Sequence, residues 1–247
     1  MFLSAKTPLL AIDIGSSSIK LAQLQGSGSR YELTGFGVMP LDPDAMSDGM
    51  IKDEEHVVDA LARLVKAEKV DTPYAVASVS GEAVIIKKIQ VPMMPEDELA
   101  ESIPQEAEQY IPYPMEEVNF DFEVLGPSEQ SPEMVDVLLA ATRTENVEIR
   151  LAAAEMAGLN VDIIDLESHA IELLFTTLVD DVVKHDTVAL VDFGSSMTGV
   201  NVFENGRVVF SREQAFGGKQ LTEEIMQRYG LPYSEAGLAK KNGNLPE

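Results

Sequence analysis

Residues 12–20 read Ile-Asp-Ile-Gly-Ser-Ser-Ser-Ile-Lys, and residues 191–199 read Val-Asp-Phe-Gly-Ser-Ser-Met-Thr-Gly. Both stretches share the pattern Asp-apolar-Gly-Ser-Ser, and each follows a short apolar run and leads into another one. Apolar runs on either side of a polar turn that contains glycine indicate two paired strands. The sequence therefore predicts the same unit of strand, turn and strand at two distant places in the chain.

A turn of this composition is suited to binding a phosphate group. Glycine lets the backbone bend tightly with its N–H groups pointing inward, and the serine hydroxyls add further donors. An aspartate at the end of the preceding strand lies where Mg²⁺, with its bound waters, would bridge to that phosphate. One such turn commonly closes an ordinary hairpin. Two copies, each at the start of a separate β-rich unit, favour a phosphate clamp formed by two halves of a duplicated fold.

The composition sets limits on the class of protein. The chain has 247 residues, 45% of them hydrophobic, which is enough to bury a large core in one or two domains. No run approaches the ~18 apolar residues that span a bilayer, and residues 1–7 lack the pattern of a signal peptide, so a soluble chain is expected. Cysteine is absent, which excludes disulfides and thiolate metal sites and is typical of a cytoplasmic protein.

The charge is strongly acidic. Eighteen Lys and Arg residues stand against 42 Asp and Glu residues, for a net charge of −24. Such a chain repels nucleic acid and anionic lipid head groups at long range. We therefore expect no nucleic-acid partner and no direct membrane insertion, whereas a nucleotide bound as its Mg²⁺ complex stays compatible with the charge.

The first third of the chain has the pattern of an α/β unit. Residues 31–38 and 74–80 predict two strands in addition to the first hairpin. Between them, apolar positions from Val57 to Val65 recur at helical spacing. Because Asp53 precedes an acidic first turn, an amphipathic helix with Asp53 as its N-cap is expected.

Residues 84–159 predict the order strand, helix, strand, strand, helix, which is typical of a compact inserted subdomain. The helix expected over residues 96–110 contains Pro104, which lacks the N–H for an intrahelical hydrogen bond and predicts a break or kink. Thr142 and Glu145 have the spacing of a capping box, which predicts the start of the last helix.

The last quarter of the chain begins with the second β-hairpin, over residues 188–202. A strand over residues 207–212 is expected next, followed by a helix that Gly217 and Gly218 open. Gly230 is the expected C-cap of this helix, because glycine favours the left-handed conformation that ends many helices.

The two turns resemble the phosphate-binding loops of the actin-like ATPase superfamily, which includes actin, sugar kinases, heat-shock chaperones and FtsA. Residues 106–118, Glu-Ala-Glu-Gln-Tyr-Ile-Pro-Tyr-Pro-Met-Glu-Glu-Val, resemble the signature of one of its families, the PilM proteins of type IV pilus assembly. That family usually has a residue other than proline at the position of Pro104, so the chain departs from the pattern there.

The resemblance implies an actin-like, ribonuclease H-like α/β fold made of subdomains. Subdomain 1A would span residues 1–85 and 160–184, the inserted subdomain 1C residues 86–159, and a partial subdomain 2A residues 185–247. No stretch corresponds to subdomain 2B, which closes the nucleotide cleft in the superfamily. Without it most of the adenine side of the pocket would be missing, so weak nucleotide binding is expected.

The same resemblance assigns site residues. Asp13 and Asp192 would hold Mg²⁺ through water, and the nucleotide would be ATP or ADP. The residues expected at its phosphates are Gly15, Ser16, Ser17, Ser18, Lys20, Gly194, Ser195, Ser196 and Thr198. Along the other side of the nucleotide we expect Gly217, Gly218 and Lys219. Glu167 is the candidate for orienting the attacking water, with Asp165 next. Either acid is equally consistent with a helix N-terminus, where the dipole favours negative charge.

A PilM-like protein would be a scaffold or switch of type IV pilus assembly, and so of twitching motility. It would bind the N-terminal cytoplasmic peptide of the inner-membrane protein PilN between 1A and 1C. It would be cytoplasmic and reach the inner membrane through that partner. Slow ATP hydrolysis at most is expected, because catalysis in such sites is mostly positioning and electrostatics. Self-association and further pilus assembly partners stay open.

Two alternatives also stay open. A cell-division scaffold like FtsA is a near neighbour of the pilus hypothesis, but the sequence has no counterpart of its usual amphipathic membrane helix. A sugar or acetate kinase would use the same two turns to move a phosphate to a small molecule. Such a kinase needs a substrate-binding base and polar substrate loops, which the inserted segment does not show.

Overall fold

The computed structural model describes residues 9–27, 30–47, 49–80, 84–128, 131–178 and 186–245. The strands are β1 Leu10–Ile14, β2 Ser18–Ser27, β3 Arg30–Pro40, β4 Met46–Ser47, β5 Met50–Ile51, β6 Tyr74–Val79, β7 Val84–Pro92, β8 Val118–Pro127, β9 Met134–Arg143, β10 Asn160–Leu166, β11 Thr187–Phe193, β12 Thr198–Glu204 and β13 Arg207–Gln214. The helices are α1 Glu54–Ala67, α2 Glu96–Ala107, α3 Thr144–Met156, α4 Glu167–Leu178, α5 Gly218–Tyr229 and α6 Tyr233–Asn242, with a 3₁₀ turn at Met115–Glu117. None of these helices is both long and apolar enough to cross a lipid bilayer.

A five-stranded sheet with the order β10-β6-β1-β2-β3 forms the centre of the first half of the chain. β1 pairs antiparallel with β2 and parallel with β6, and β10 continues the sheet parallel to β6. Leu10, Ile12 and Ile14 are buried along β1, the alternation expected for a strand with one face on the core. The carboxyl ends of β1, β6 and β10 therefore meet at one edge of the sheet.

Helices α1 and α3 pack into the core of this sheet. Asp53 is the N-cap of α1, because its carboxylate accepts a hydrogen bond from the backbone N–H of His56 at 3.0 Å. The N-cap prediction is thus confirmed. Leu61 on α1 and Ala153 on α3 are both fully buried and lie in the same hydrophobic cluster as β1.

The strands β7, β9 and β8 form an antiparallel sheet with a separate core. Helix α2 contributes Ile103 and Ala107, both fully buried, to that core. The segment that follows α2 packs Ile111 into the same cluster, with Met115 partly buried against it. Apolar residues of the motif at residues 106–118 therefore hold the helix and the sheet of the insertion together.

Of the break or kink expected at Pro104, the break is not present and the kink stays a prediction. Helix α2 continues through Pro104 and ends at Ala107, three residues before the predicted end. Proline removes the hydrogen bond to the carbonyl of Ala100, which lies on an exposed part of the helix. Because Ile103 and Ala107 anchor this turn in the core, the helix continues to Ala107 despite the lost hydrogen bond.

The capping box expected at Thr142 is also not present. Thr142 lies in β9, is 6% exposed, and its hydroxyl accepts a hydrogen bond from Nδ2 of Asn146 at 3.1 Å. Helix α3 begins at Thr144, with Arg143 in the N-cap position. The threonine side chain is thus used inside the core and is unavailable to cap the helix.

The last three strands, β11, β12 and β13, form a third sheet that is followed by α5 and α6. Phe175 of α4 stacks on Phe203 of β12 with the ring centroids 4.1 Å apart, and both side chains are buried. This contact joins the third sheet to the helix that follows β10. Helix α5 ends with Gly230 in the left-handed conformation at φ 65°, so the predicted C-cap is confirmed.

The membership of α3 in one of the two hydrophobic cores affects where the expected inserted subdomain ends. Helix α3 belongs to the first core, although the predicted insertion extends to residue 159. This packing favours an insertion that ends near Arg143. The predicted boundary between residues 184 and 185 lies outside the described residues, and the division as a whole stays a prediction.

Candidate functional site

The two predicted turns have the same geometry. In the first, the N–H of Gly15 donates to the carbonyl of Ser18 at 3.1 Å. In the second, the N–H of Gly194 donates to the carbonyl of Met197 at 2.9 Å. Each turn joins an antiparallel pair of strands, β1 with β2 and β11 with β12. The predicted unit of strand, turn and strand is confirmed in both places.

Both turns line one cavity. Its wall includes Asp13 near the end of β1, Ser80 directly after β6, and Glu167 directly after β10. These positions share the edge at which the parallel strands end, which is where α/β sheets commonly bind ligands. The predicted site residues that line the cavity are Asp13, Gly15, Ser16, Ser17, Ser18, Lys20, Glu167, Asp192, Gly194, Ser195 and Ser196.

Lys20 is a cation surrounded by acidic groups. Its Nζ lies 2.7 Å from Oδ2 of Asp13, the residue directly opposite it in the β1–β2 pair. Burial lowers the pKa of Lys20, but the hydrogen bond and charge of Asp13 raise it more, helped by the charges of Asp192 and Glu167. The net pKa is above its ordinary value, so Lys20 is charged at neutral pH.

Of the two acids considered for orienting a water, Glu167 lines the cavity and Asp165 does not. The two carboxylate oxygens of Asp165 lie 3.0 and 3.1 Å from Nδ1 of His169, one helical turn away. The pKa of Glu167 is raised, first by burial and then by the negative charges of neighbouring carboxylates, against the opposing effect of a hydrogen bond with Ser80. The neighbouring carboxylates belong to Asp13, Asp192 and Glu213.

Replacing Glu167 with glutamine is expected to stabilise the ligand-free protein at neutral pH by a few degrees in melting temperature. A carboxyl with a raised folded pKa contributes stability below its ordinary value of 4.5 and loses that contribution as pH rises through the folded pKa. The neutral amide avoids this loss. Thermal unfolding at several pH values measures the change in melting temperature. Glu172→Gln, a substitution on the same helix, is the control. A gain that is equal at all pH values would contradict the expectation.

Four residues predicted to contact the nucleotide do not line this cavity, and they lie where the second turn is supported. The hydroxyl of Thr198 donates to the carbonyl of Phe216 at 2.6 Å. The N–H of Gly218 donates to the carbonyl of Gly194 at 3.0 Å, and the N–H of Lys219 donates to the carbonyl of Ser195 at 2.8 Å. These four residues are Thr198, Gly217, Gly218 and Lys219, and their contact with a nucleotide stays a prediction.

Gly217 allows this support through close approach. A Cβ atom at Gly217 would lie 2.4 Å from the carbonyl oxygen of Ser195 and 2.7 Å from that of Gly194. The start of α5 can therefore contact the second turn only because residue 217 has no side chain.

Arg150 lines the cavity, and the sequence analysis did not single it out. It is 2% exposed on α3, and its guanidinium donates to the carbonyl oxygen and side-chain oxygen of Asn146 and to the carbonyl of Gly49. One signal was present in the sequence. Asn146, Arg150 and Ala153 recur at helical spacing, which places the arginine on the buried face of the helix.

The acidic groups of the cavity fit a hydrated magnesium ion better than a metal held by protein alone. Among the described residues, no group of three or more His, Asp or Glu side chains is placed to hold a metal. Mg²⁺ commonly keeps several waters and takes one or two carboxylates together with phosphate oxygens. Asp13 and Asp192 offer two carboxylates, and the turns beside them offer donors for phosphate.

Comparison with known proteins decides the family. The model of the type IV pilus assembly protein PilM matches residues 11–247. The chain belongs to the PilM family. The resemblance of residues 106–118 to a PilM signature is therefore confirmed by a match that extends over nearly the whole chain.

Solved structures agree with membership of the PilM family. A PilM–PilN type IV pilus biogenesis complex superposes with a TM-score of 0.83 at 28% identity, covering 96% of this chain and 70% of that one. EutJ of Carboxydothermus hydrogenoformans has a TM-score of 0.56 at 15% identity, covering 96% of this chain and 62% of that one. At that identity the likeness concerns the fold alone. The predicted actin-like α/β fold is confirmed.

A curated relative of this PilM-family chain is the ethanolamine utilization protein EutJ of Salmonella typhimurium. It is 29% identical over 94 residues. The match covers 38% of this chain and 31% of EutJ. The chain thus matches less than a third of the length of that relative.

Proposed function

We propose that this chain is an ATP- or ADP-binding scaffold or switch of type IV pilus assembly. The observation that carries the proposal is that two turns of the same geometry, contributed by distant parts of the chain, line one cavity. Membership of the PilM family favours a role in pilus assembly over the two alternatives, a cell-division scaffold and a sugar or acetate kinase.

In the proposed complex, Asp13 and Asp192 hold Mg²⁺ through its waters. The backbone N–H groups and hydroxyls of residues 15–18 and 194–196 bind the phosphates, and Lys20 adds a positive charge. Glu167 orients a water for slow hydrolysis, in which the protein contributes positioning and electrostatics. Burial and nearby carboxylates raise its pKa, so its charge is sensitive to the cation and phosphates that enter the cavity.

The proposed partner is the N-terminal cytoplasmic peptide of a PilN-like inner-membrane protein. The related structure with a TM-score of 0.83 is a PilM–PilN complex, which supports this choice. The peptide is proposed to lie between 1A and 1C, where the inserted sheet adjoins α3 and the first core. Binding it would recruit a cytoplasmic protein to the inner membrane.

Calorimetric titration with ATP and ADP, with and without Mg²⁺, tests the nucleotide proposal. Binding that depends on Mg²⁺ is expected, and Asp192→Asn should remove that dependence. Asp59→Asn is the matched control, because Asp59 is an exposed residue of α1 that does not line the cavity. Absence of binding to either nucleotide would contradict the proposal.

Titration with a synthetic PilN N-terminal peptide tests the partner proposal separately. We expect saturable binding of the native peptide and none of a scrambled peptide with the same composition. A phosphotransfer assay with acetate and common sugars is expected to show no product. Peptide binding that is equal for both sequences would contradict the partner, and phosphotransfer would restore the kinase alternative.

A further inference from the structure

Arg150 is a buried cation whose hydrogen-bond partners are all neutral. It is 2% exposed, and among the described residues it donates only to oxygens of Asn146 and Gly49. Within the described ranges it forms no ion pair with any carboxylate, and its buried Nε has no hydrogen-bond partner. A buried charge that forms no ion pair with a described residue is only partly compensated, so an anion bound beside it would stabilise it.

The donors that remain on Arg150 suit a phosphate. A guanidinium has five N–H donors, and three hydrogen bonds use three of them. One unused donor is on Nε, which shares an edge of the guanidinium with Nη2. Two N–H groups on one edge match two oxygens of a phosphate, a geometry that lysine cannot reproduce.

The location of Arg150 indicates which phosphate it would bind. It lines the same cavity as both turns, and the carboxylates that act on its charge are those of Asp13 and Glu167. Burial lowers the pKa of Arg150 to about 10 against the opposing effect of these two carboxylates, so it is charged at neutral pH. Glu167 is the residue proposed to orient a water toward the terminal phosphate. If Glu167 has that role, Arg150 would lie at the terminal end of the phosphate chain.

Lys20 is less available than Arg150 for binding the terminal phosphate. Its ammonium already pairs with Asp13 at 2.7 Å, and more than half of its side chain is exposed. Arg150, by contrast, is buried in the cavity wall, where its two terminal nitrogens donate to Asn146 and Gly49.

We propose that Arg150 binds the outermost phosphate and makes the cavity prefer a ligand with three phosphates over one with two. This inference rests on the proposed nucleotide site and names the residue that distinguishes its ligands. A bound terminal phosphate would then act through Arg150 on both of its hydrogen-bond partners, Asn146 and Gly49.

The test compares the non-hydrolysable ATP analogue AMP-PNP with ADP, both with Mg²⁺, on the wild-type chain, Arg150→Gln and Arg150→Lys. For Arg150→Gln we expect the affinity for the triphosphate to fall about tenfold or more, as for a lost hydrogen bond to a charged group, and that for ADP to change by less than about twofold. Arg150→Lys should be intermediate, because it keeps the charge and loses the planar fork. Arg143→Gln is the control, since Arg143 lies at the start of the same helix and outside the cavity wall.

Thermal unfolding without ligand shows whether each variant folds. If Arg150→Gln does not fold, the ratio of the two affinities in Arg150→Lys decides. An equal loss for both nucleotides, or no loss, would overturn the role of Arg150 while the nucleotide site stands. A wild-type chain that binds neither ligand would overturn both proposals.

Discussion

Replacing Gly217 with alanine is expected to lower the free energy of unfolding by about 3 kcal/mol, the upper part of the usual range for overpacking. The new Cβ would lie 2.4 Å from the carbonyl oxygen of Ser195 and 2.6 Å from its carbonyl carbon. Both are backbone atoms, so no side-chain rotation can relieve the contact. The start of α5 and the second turn must move apart, which weakens the hydrogen bonds from Gly218 to Gly194 and from Lys219 to Ser195.

The same substitution is expected to remove nucleotide binding, because the second turn would lose the support that shapes it. Chemical unfolding measures the change in stability, and calorimetry with Mg–ATP measures the change in affinity. Gly237→Ala is the matched control. Gly237 lies within α6, where an added Cβ has no atom within 4 Å, so alanine there should be neutral or stabilise by up to about 1 kcal/mol. Equal behaviour of the two variants would show that the close approach at Gly217 is unimportant.

Replacing Lys20 with methionine is expected to weaken Mg–ATP binding about 10- to 100-fold, the effect of a lost hydrogen bond between charged groups. The change in folding stability should stay within about 1 kcal/mol, because pairs between exposed side chains contribute little. The side chains of Lys20 and Asp13 are 51% and 40% exposed. Without Lys20, the carboxylates of Asp13, Asp192 and Glu167 would repel the phosphates more strongly.

Arg63→Met provides the control for Lys20→Met. Arg63 pairs with Asp59 at 3.1 Å on the surface of α1, and both side chains are more exposed than those of the Lys20 pair. Both variants remove one positive charge, so a general effect of net charge would appear in both. If Lys20→Met bound nucleotide as well as Arg63→Met does, Lys20 would have no part in the site.

The features that were predicted correctly depend on contacts within a few residues. The turn at Gly15 closes on Ser18, and the cap at Asp53 closes on His56. Gly230 ends α5 because glycine readily adopts a positive φ. Such contacts are encoded by the identity and spacing of neighbouring residues, so the amino-acid pattern predicts them directly.

The expectations that failed depend on what lies across the core. Thr142 has the spacing of a capping residue, but the fold buries it in β9 against Asn146. Pro104 lacks a donor, but Ile103 and Ala107 hold the helix on the inserted sheet. In both cases tertiary packing outweighs a local preference.

By itself, the sequence determined the two turns, their resemblance to phosphate-binding loops and the family to which the chain belongs. Only the tertiary structure decided that Ser80 and Arg150 join the cavity and that Gly217 supports its wall. The reason is that β1, β6 and β10 bring their carboxyl ends to one edge only when the sheet has formed. Residues far apart in the chain become neighbours there, and no pattern of adjacent residues records that proximity.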